Sequence, residues 1–493
     1  MASTRREFLT LAGLAGAAAL LASCAPASPL DRARVAVAGG GDLPGPWPAG
    51  GDPAWRALSR LTFGPRPDEL ARVAAIGLDA WIDEQLAPAH RPDHDADLRV
   101  RHFDTLTMDP SLLAEVRPEN ARRELQSAAL LRAIYSRRQL YELLVDFWGD
   151  HFNISTLKGD CVWLKTIDDR EVIRPHALGR FGDLLGASMR SPAMLVYLDN
   201  QENRAGNPNE NYARELLELH ALGGDAGYTQ RDVQEVARCL TGWTVDRHRR
   251  RGQVKFDPAH HDDREKIVLG RRIPAGGGPR DAERVRDLLL AHPALPRFIA
   301  RKLARRFVAD DPPATAVEAA AATFARTDGD IAATLRTILR SPDFAAAPPK
   351  LKRPFHHVVG ALRQLAAEID AGQPLLGHLA AMGQPLFQWL TPDGYPDTAA
   401  AWSGDLLARW QFALALATGA IPGTRIDLPG LVRQASATTT GQLLDRFGAL
   451  LLGAPLPPGA NHALVGLLGD EGDDLARRSA LAALLAGPGY VWR

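Results

Sequence analysis

The sequence predicts an all-α protein, a multi-helix globular array with at most a small β-hairpin. Apolar residues recur at helical spacing in one segment after another. Runs of Val and Ile that alternate with polar residues are scarce. The best short candidate is Ile267-Val268-Leu269, which we assign to a hairpin near 254–273. The sequence contains no repeat of fixed period.

The helical signals can be followed along the chain. Pro67 opens a helix that Gly77 stops, and another helix begins near Asp79. A long amphipathic pattern runs over 119–147. The segment 229–232 resembles a capping box, and apolar residues at helical spacing follow it.

Composition indicates a large globular chain without a strong charge bias. The 493 residues are 46% hydrophobic and carry 58 basic and 58 acidic side chains. This balance argues against nucleic-acid binding and against a polybasic membrane surface. The length allows two or more packed units. Prolines near residue 345 favour a main helical domain over 55–345 and a C-terminal helical region over 346–493 packed on it.

The N-terminus has the features of an export signal. Arg5 and Arg6 precede a short apolar run over 11–22, which is typical of a twin-arginine signal. The run is well short of the roughly 20 residues that a membrane-spanning helix needs. It ends in Leu21-Ala22-Ser23-Cys24, which resembles a lipoprotein cleavage site. The alternative is a buried N-terminal helix with a chance cysteine.

We therefore expect a signal peptide over 1–23 and acylation of Cys24 after cleavage. The Gly- and Pro-rich segment 24–54 then reads as a flexible tether. The expected location is the periplasm or the cell exterior, with membrane lipid as partner. Folding before export takes place in a reducing compartment, so Cys161 and Cys239 are expected to be free and buried rather than joined by a disulfide.

One candidate for chemistry is His151, in the segment 146–153. On a helical wheel it shares a face with the apolar Leu144 and Phe147, whereas Asp146 and Asp150 point away. An imidazole on an apolar face is usually a core histidine whose hydrogen bonds are satisfied, so this segment alone is weak evidence.

A second candidate is the segment 207–220, where Asn207 can cap a helix. Glu215 and Glu218 lie together at the polar edge of that helix. His220 lies about 140° from Glu215 on an α-helical wheel, unlike the Glu-x-x-His pair of di-metal helical bundles. The alternative is that the carboxylates pair with arginines, Arg214 among them.

Two shorter segments also concentrate polar groups. Pro175 follows Arg174 and is expected to open a helix that leads to Arg180. His261 and Asp262 are adjacent in a predicted loop, where such a pair can bind a metal or transfer a proton. The motifs of nucleotide-binding loops, serine hydrolases and zinc proteases are absent from the sequence.

These segments together resemble the family known as domain of unknown function 1800. The similarity runs from about residue 61 to the last residue. The specific stretches are 147–152, 174–179, 191–199, 209–220, 228–230, 240–243, 261–262 and 392–396. Members of the family usually have a second histidine where this chain has Gly149. The resemblance implies a helical, exported bacterial protein, often encoded beside a sulfatase-like protein, and it does not supply a reaction.

Two functional hypotheses follow. The first is an envelope enzyme with a buried His/carboxylate site, which in one version holds a divalent metal. Its predicted catalytic residues are His151, Glu215, His261 and Asp262, and its predicted metal ligands are His151, Glu215, Glu218 and His220. The second is a non-catalytic envelope lipoprotein that binds a partner such as the sulfatase-like neighbour, with the same residues forming a structural network.

Overall fold

A computed structural model describes residues 52–246, 252–469 and 473–493 of the chain. The predicted signal peptide, the predicted acylation site Cys24 and the predicted tether up to residue 51 lie outside the described residues. Helices dominate the described part, which confirms the all-α prediction.

The first half of the fold is a succession of short helices. These are Pro53–Leu61, Pro67–Ile76, Leu78–Leu86, His94–Val100, Pro110–Leu113, Pro118–Tyr135, Gln139–His151, Cys161–Asp168, Arg174–His176, Phe181–Met189, Pro192–Tyr197, Asn211–Glu215 and Gln230–Leu240. Two π-helical segments, Asp169–Ile173 and Leu216–Ala221, continue helices that precede them.

The second half is also helical. Its helices are Arg280–Leu290, Ala294–Phe307, Ala314–Arg326, Ile331–Leu339, Pro342–Ala345, Pro354–Gln364, Gln373–Ala381, Leu406–Thr418, Leu428–Ala435, Thr440–Leu452, Pro458–Leu468, Asp474–Ala486 and Pro488–Val491.

In the part of the chain that the structure describes, three two-stranded antiparallel sheets accompany the helices. Lys266–Val268 pairs with Arg271–Ile273 around a turn at Leu269 and Gly270, both with positive φ, as a tight hairpin requires. The other pairs are Trp243–Val245 with Val254–Phe256, and Glu368–Ile369 with Thr424–Arg425. The predicted hairpin is thus confirmed, and the strand at 254–256 belongs to a different one.

Local sequence signals explain most helix boundaries. Thr229 and Asp232 form the predicted capping box, in which each side chain bonds the backbone N–H of the other. The helix Pro67–Ile76 ends at Gly77, as predicted. The long pattern over 119–147 is divided between two helices because the chain turns at Ser136, whose hydroxyl donates to Asp93 and accepts from the backbone of Arg138.

The two halves share one hydrophobic core. The helix Pro354–Gln364 is buried along its whole length and packs against Pro118–Tyr135. A Cβ on Gly360 would lie 2.7 Å from the carbonyl oxygen of Phe63, so glycine permits this close approach. Whether 55–345 and 346–493 fold as separate units stays a prediction.

Both cysteines in the described residues are buried and free, which confirms the prediction for Cys161 and Cys239. Within 52–246, 252–469 and 473–493, no helix has both the length and the apolar character of a bilayer span.

Candidate functional site

The structure brings two of the predicted site residues together, His151 and His220. Nε2 of His151 lies 3.0 Å from the carbonyl oxygen of His220, and the ring centroids are 6.1 Å apart. The carbonyl can only accept, so Nε2 of His151 carries the proton. Both rings are almost fully buried among aromatic side chains, including Trp148 and Phe152.

This environment keeps both imidazoles neutral. Burial lowers the pKa of His151 well below its ordinary value and lowers the pKa of His220 to about 3. Neither ring nitrogen of His220 has a hydrogen-bond partner in the described residues. The pair therefore resembles core packing more than an acid–base pair that works near neutral pH.

The carboxylates of the predicted metal set lie elsewhere. Glu218 is exposed and Glu215 is half-buried. Burial, Glu218 and Asp393 raise the pKa of Glu215, and neither imidazole contributes to that shift. No group of three or more His, Cys, Asp or Glu side chains suited to a metal occurs in the described residues. The predicted ligand set does not fit a metal ion as placed here.

The local backbone differs from the α-helix assumed from the sequence. The helix begins at Asn211, not near Asn207, and Asn209 accepts the backbone N–H of Asn211. Leu216–Ala221 is π-helical, so the 100° step no longer applies to His220. Arg214 pairs with Glu210 at 3.1 Å rather than with Glu218.

His261 and Asp262 belong to a separate cluster. Nδ1 of His261 lies 2.8 Å from the carbonyl oxygen of Thr241, and its Nε2 lies 3.4 Å from Asp281. Asp262 pairs with Arg238 at 2.9 Å and also with Arg264, and these hydrogen bonds hold its pKa well below the usual range. The ionic contacts of both residues stay within this cluster, so we find no link to His151.

The segment at Arg174 differs in shape from its prediction. Arg174–His176 is a single short turn after the π-helical Asp169–Ile173, and a new helix begins at Phe181. Arg174 donates to both carboxylate oxygens of Glu142 at 3.1 Å each and to Asp169 at 2.8 Å. This bidentate pair is a geometry that only arginine provides.

A cavity lined by both charged and apolar side chains lies on the other side of the helix Gln139–His151. It measures about 50 Å³, enough for a few water molecules or one small polar group. Gly149 is part of its wall, and a Cβ added there would meet no atom within 4 Å. We call it the carboxylate cavity after the charged side chains in its wall: Glu142, Asp146, Asp150, Lys165, Asp169 and Arg174.

Two buried arginines hold the acids at one end of this cavity. Arg353 donates one Nη to Asp146 and the other to Asp150. Arg306 lies 3.1 Å from Asp146, 3.4 Å from Asp150 and 3.0 Å from Asp397. Three partly buried carboxylates thus share two buried guanidinium groups.

Two of the acids in the cavity wall, Asp146 and Asp150, have pKa values that shift in opposite directions. Burial raises the pKa of Asp146, but Arg353, His356 and Arg306 outweigh it and hold the pKa below its usual range. Burial and the Asp146 charge raise the pKa of Asp150 despite Arg353. A carboxyl group next to a like charge binds a proton more readily, so Asp150 takes up a proton before Asp146 does as the pH falls.

The loop after Trp389 closes over this end of the helix. Asn153 donates to the carbonyl oxygens of Trp389 and Thr391 at 3.2 and 2.7 Å. Gly394 has a φ of 75°, and a Cβ there would lie 2.2 Å from the carbonyl oxygen of Asp150. Only glycine allows the loop to seat against the backbone of Asp150.

Sequence reasoning missed Asp146 and Asp150 because it followed the imidazole. A signal was present: two acids one turn apart in an otherwise apolar helix need buried cations. Their partners, Arg306 and Arg353, come from distant segments and could not be paired with them from spacing.

Of the three comparisons with known proteins, the one with family models finds a match. A family model described as a protein of unknown function, DUF1800, matches residues 56–492. No curated protein and no solved structure matches the chain.

Proposed function

We propose that this chain, which belongs to the DUF1800 family, is an exported enzyme that performs acid–base chemistry at the carboxylate cavity. One observation carries the proposal. Asp146 and Asp150 lie one helical turn apart in the cavity wall and share two arginines, yet their pKa values shift in opposite directions. Environments that push two acids apart in this way assign a proton donor and a charged partner.

In this mechanism Asp150 donates a proton to the substrate and Asp146 remains ionised. Arg353 contacts both acids, so it stabilises the negative charge that appears on Asp150 after transfer. The small cavity admits one polar group of the substrate rather than the whole molecule.

The existing partners of the carboxylates in the cavity wall favour proton transfer over metal binding. Asp146, Asp150, Glu142 and Asp169 are each already bonded to a guanidinium group. A divalent cation would have to displace these cations, which would leave buried arginines unpaired. Metal analysis of the protein exported by its host tests the metal-dependent version, and a stoichiometric bound metal would contradict ours.

The test of the proposal is Asp150→Asn. The amide keeps the shape of a protonated carboxyl, so we expect a folded protein that fails to complement a deletion strain. Asp225→Asn, at an exposed loop position, is the control and should complement fully. The infrared carbonyl band of a protonated buried carboxyl should be present at neutral pH in the wild type and absent in Asp150→Asn. Full complementation by Asp150→Asn would exclude this mechanism.

The proposal includes export and membrane anchoring through Cys24. Arg5, Arg6 and the small residues before Cys24 support it. Cys24→Ser should abolish incorporation of labelled palmitate, and Arg5→Lys with Arg6→Lys should retain the precursor in the cytoplasm. Labelling that persists in Cys24→Ser would contradict acylation at this residue.

A second candidate function is supported by the same ion pairs. A fully paired buried network also serves structural specificity without chemistry. In that case the protein is a non-catalytic lipoprotein that binds a partner such as a sulfatase-like exported protein. Asp150→Asn separates the two: loss of complementation with unchanged stability favours catalysis, whereas unfolding favours the structural role.

A further inference from the structure

A wide groove on the protein surface lies where the described chain begins. Its volume is about 760 Å³, and it shares no lining residue with the carboxylate cavity. Known small-molecule pockets hold roughly 300–1,000 Å³. Pro53 lies at one edge, and the larger apolar side chains of the wall are Trp55, Leu339, Phe344, Leu452, Leu456 and Trp492.

The Trp55 wall of this groove is fixed in place. Gly453 has a φ of 77°, and a Cβ there would lie 2.4 Å from the indole of Trp55, so the ring packs directly on backbone. Trp55 is 8% exposed, and its Nε1–H has no hydrogen-bond partner in the described residues. A buried donor without an acceptor is unfavourable by about 1–3 kcal/mol.

Arg493 adds two more unpaired donors to the same groove. Its Nε and Nη1 are buried and have no hydrogen-bond partner in the described residues. Burial, together with the charges of Arg60 and Arg306, lowers the pKa of Arg493 to about 9. The unpaired groups that we find here all donate, so a ligand must bring acceptors.

Arg60 makes this end of the groove more positive. Its guanidinium donates to the carbonyl oxygens of Phe307, Val308 and Pro348, and its Nε donates to the carbonyl of Arg493. Burial lowers the pKa of Arg60 to about 10, although the nearby charges of Asp310 and Asp397 act in the opposite direction. Arg340, by contrast, already pairs with Asp83 at 2.8 Å.

We propose that this groove binds an amphiphile with an anionic head group, the apolar chain lying along the tryptophan and leucine walls. The carboxylate or phosphate head faces Arg493 and Arg60. Since Nε and Nη1 of Arg493 are covered, its side chain turns when the head enters. Charged hydrogen bonds to a guanidinium are about twice as strong as neutral ones, so the head decides the affinity.

The position of the groove agrees with this ligand. The chain from Cys24 to Asp52 reaches no more than about 100 Å when fully extended. An anchor at Cys24 therefore keeps the groove close to a membrane, where amphiphiles are concentrated. The inference does not depend on chemistry at Asp150.

The experiment is a calorimetric titration of the full mature chain in nanodiscs of zwitterionic lipid, with empty nanodiscs subtracted. Decanoate is the probe, decanol has the same tail without charge, and acetate and inorganic phosphate have only the head. We expect decanoate to bind about tenfold or more tightly than decanol and the free anions to bind weakly. Decyl phosphate then distinguishes a phosphate head from a carboxylate head.

Two variants test the two ends of the groove. Arg493→Gln keeps the backbone hydrogen bonds of this residue. It should weaken the binding of decanoate about tenfold and leave the binding of decanol unchanged. Arg433→Gln, at an exposed helix position, is the matched control. Ala345→Trp fills the groove from an exposed wall position and should block both ligands even if Arg493→Gln fails to fold.

Three outcomes would overturn the proposal. Equal binding of decanoate and decanol would show that the charged end has no role. Binding that persists in Ala345→Trp would place the ligand elsewhere. The third outcome combines two results: the titration gives no heat, and cross-linking finds a peptide of another protein or the N-terminal segment of this chain in the groove. That outcome would assign the groove to a polypeptide.

Discussion

The helix Gln139–His151 has two faces that differ in the charge state of their polar residues. We call them the histidine face, with His151, and the acid face, with Asp146 and Asp150. On the histidine face His151 packs in an aromatic core and is neutral. Burial lowers its pKa, and no carboxylate raises the pKa again. On the other face burial also opposes the charge of Asp146, but Arg353, His356 and Arg306 lower its pKa, so this carboxylate stays ionised. Burial alone therefore does not decide whether a polar residue is part of the core or of a site.

The comparison of the two faces indicates that a candidate site in this fold needs a cavity and compensating charges as well as suitable residue types. The histidine face has the residue types that favour metal binding, but no group of three or more possible ligands occurs in the described residues. The acid face has a cavity and compensating cations, and burial together with the Asp146 charge raises the pKa of Asp150. The predictions below separate the two faces.

The largest effect is expected for Arg353→Met on the acid face. Removing this guanidinium leaves Asp146 and Asp150 with Arg306 alone, and an uncompensated buried charge destabilises by about 3–5 kcal/mol. Urea unfolding at pH 7 measures the change. Asp146→Asn introduced into Arg353→Met should restore part of the loss, because it removes the charge of the acid that stays ionised.

The control for that variant is Arg433→Met, at an exposed position where surface substitutions stay within about 0.5 kcal/mol. If Arg353→Met is no less stable than this control, the ion-pair network does not hold the acid face together.

The next effect concerns the loop that closes over the acid face. Gly394→Ala combines a left-handed backbone with a Cβ that would lie 2.2 Å from the carbonyl oxygen of Asp150. We expect a loss of about 2–4 kcal/mol in the free energy of unfolding. Gly419→Ala has a similar φ of 72° and open space around the Cβ, so it should lose only about 1 kcal/mol. Equal losses in the two variants would mean that the contact at Asp150 is unimportant.

Much of the fold follows from local sequence rules, and these residues show why. The capping box at Thr229 and the stop at Gly77 depend on neighbours within four residues, so spacing predicts them. The acid face depends on Arg306 and Arg353, which reach it through tertiary packing that periodicity does not encode. The π-helical Leu216–Ala221 also departs from the α-helical wheel, so the relation of Glu215 to His220 could not be obtained from a 100° step.

The histidine face predicts a pH effect. Folding keeps His220 neutral with a pKa of about 3, so the unfolded chain takes up a proton first as the pH falls. The stability from this residue is complete above about pH 6.5 and is lost towards pH 3, by about 1.4 kcal/mol per pH unit. His220→Phe removes this loss. The free energy of unfolding, measured between pH 6 and 4, should therefore fall less steeply with pH in this variant than in the wild type.

At pH 7 His220→Phe should be as stable as the wild type or slightly more stable, because it removes ring nitrogens that have no partner. A decline with falling pH as steep as in the wild type would show that His220 is not the residue that takes up the proton.

The smallest effect is expected for Glu215→Gln, outside both faces. Burial and the charge of Glu218 raise the pKa of this half-buried carboxyl, so its ionised form is disfavoured in the folded protein. The amide should therefore stabilise the protein at pH 7 by no more than about 0.5 kcal/mol, and the gain should vanish near pH 4, where the carboxyl is protonated. Glu218→Gln removes the same repulsion and should act in the same direction. A loss of about 2 kcal/mol at pH 7 would mean that Glu215 bonds a buried group, and the histidine face would then extend to a carboxylate after all.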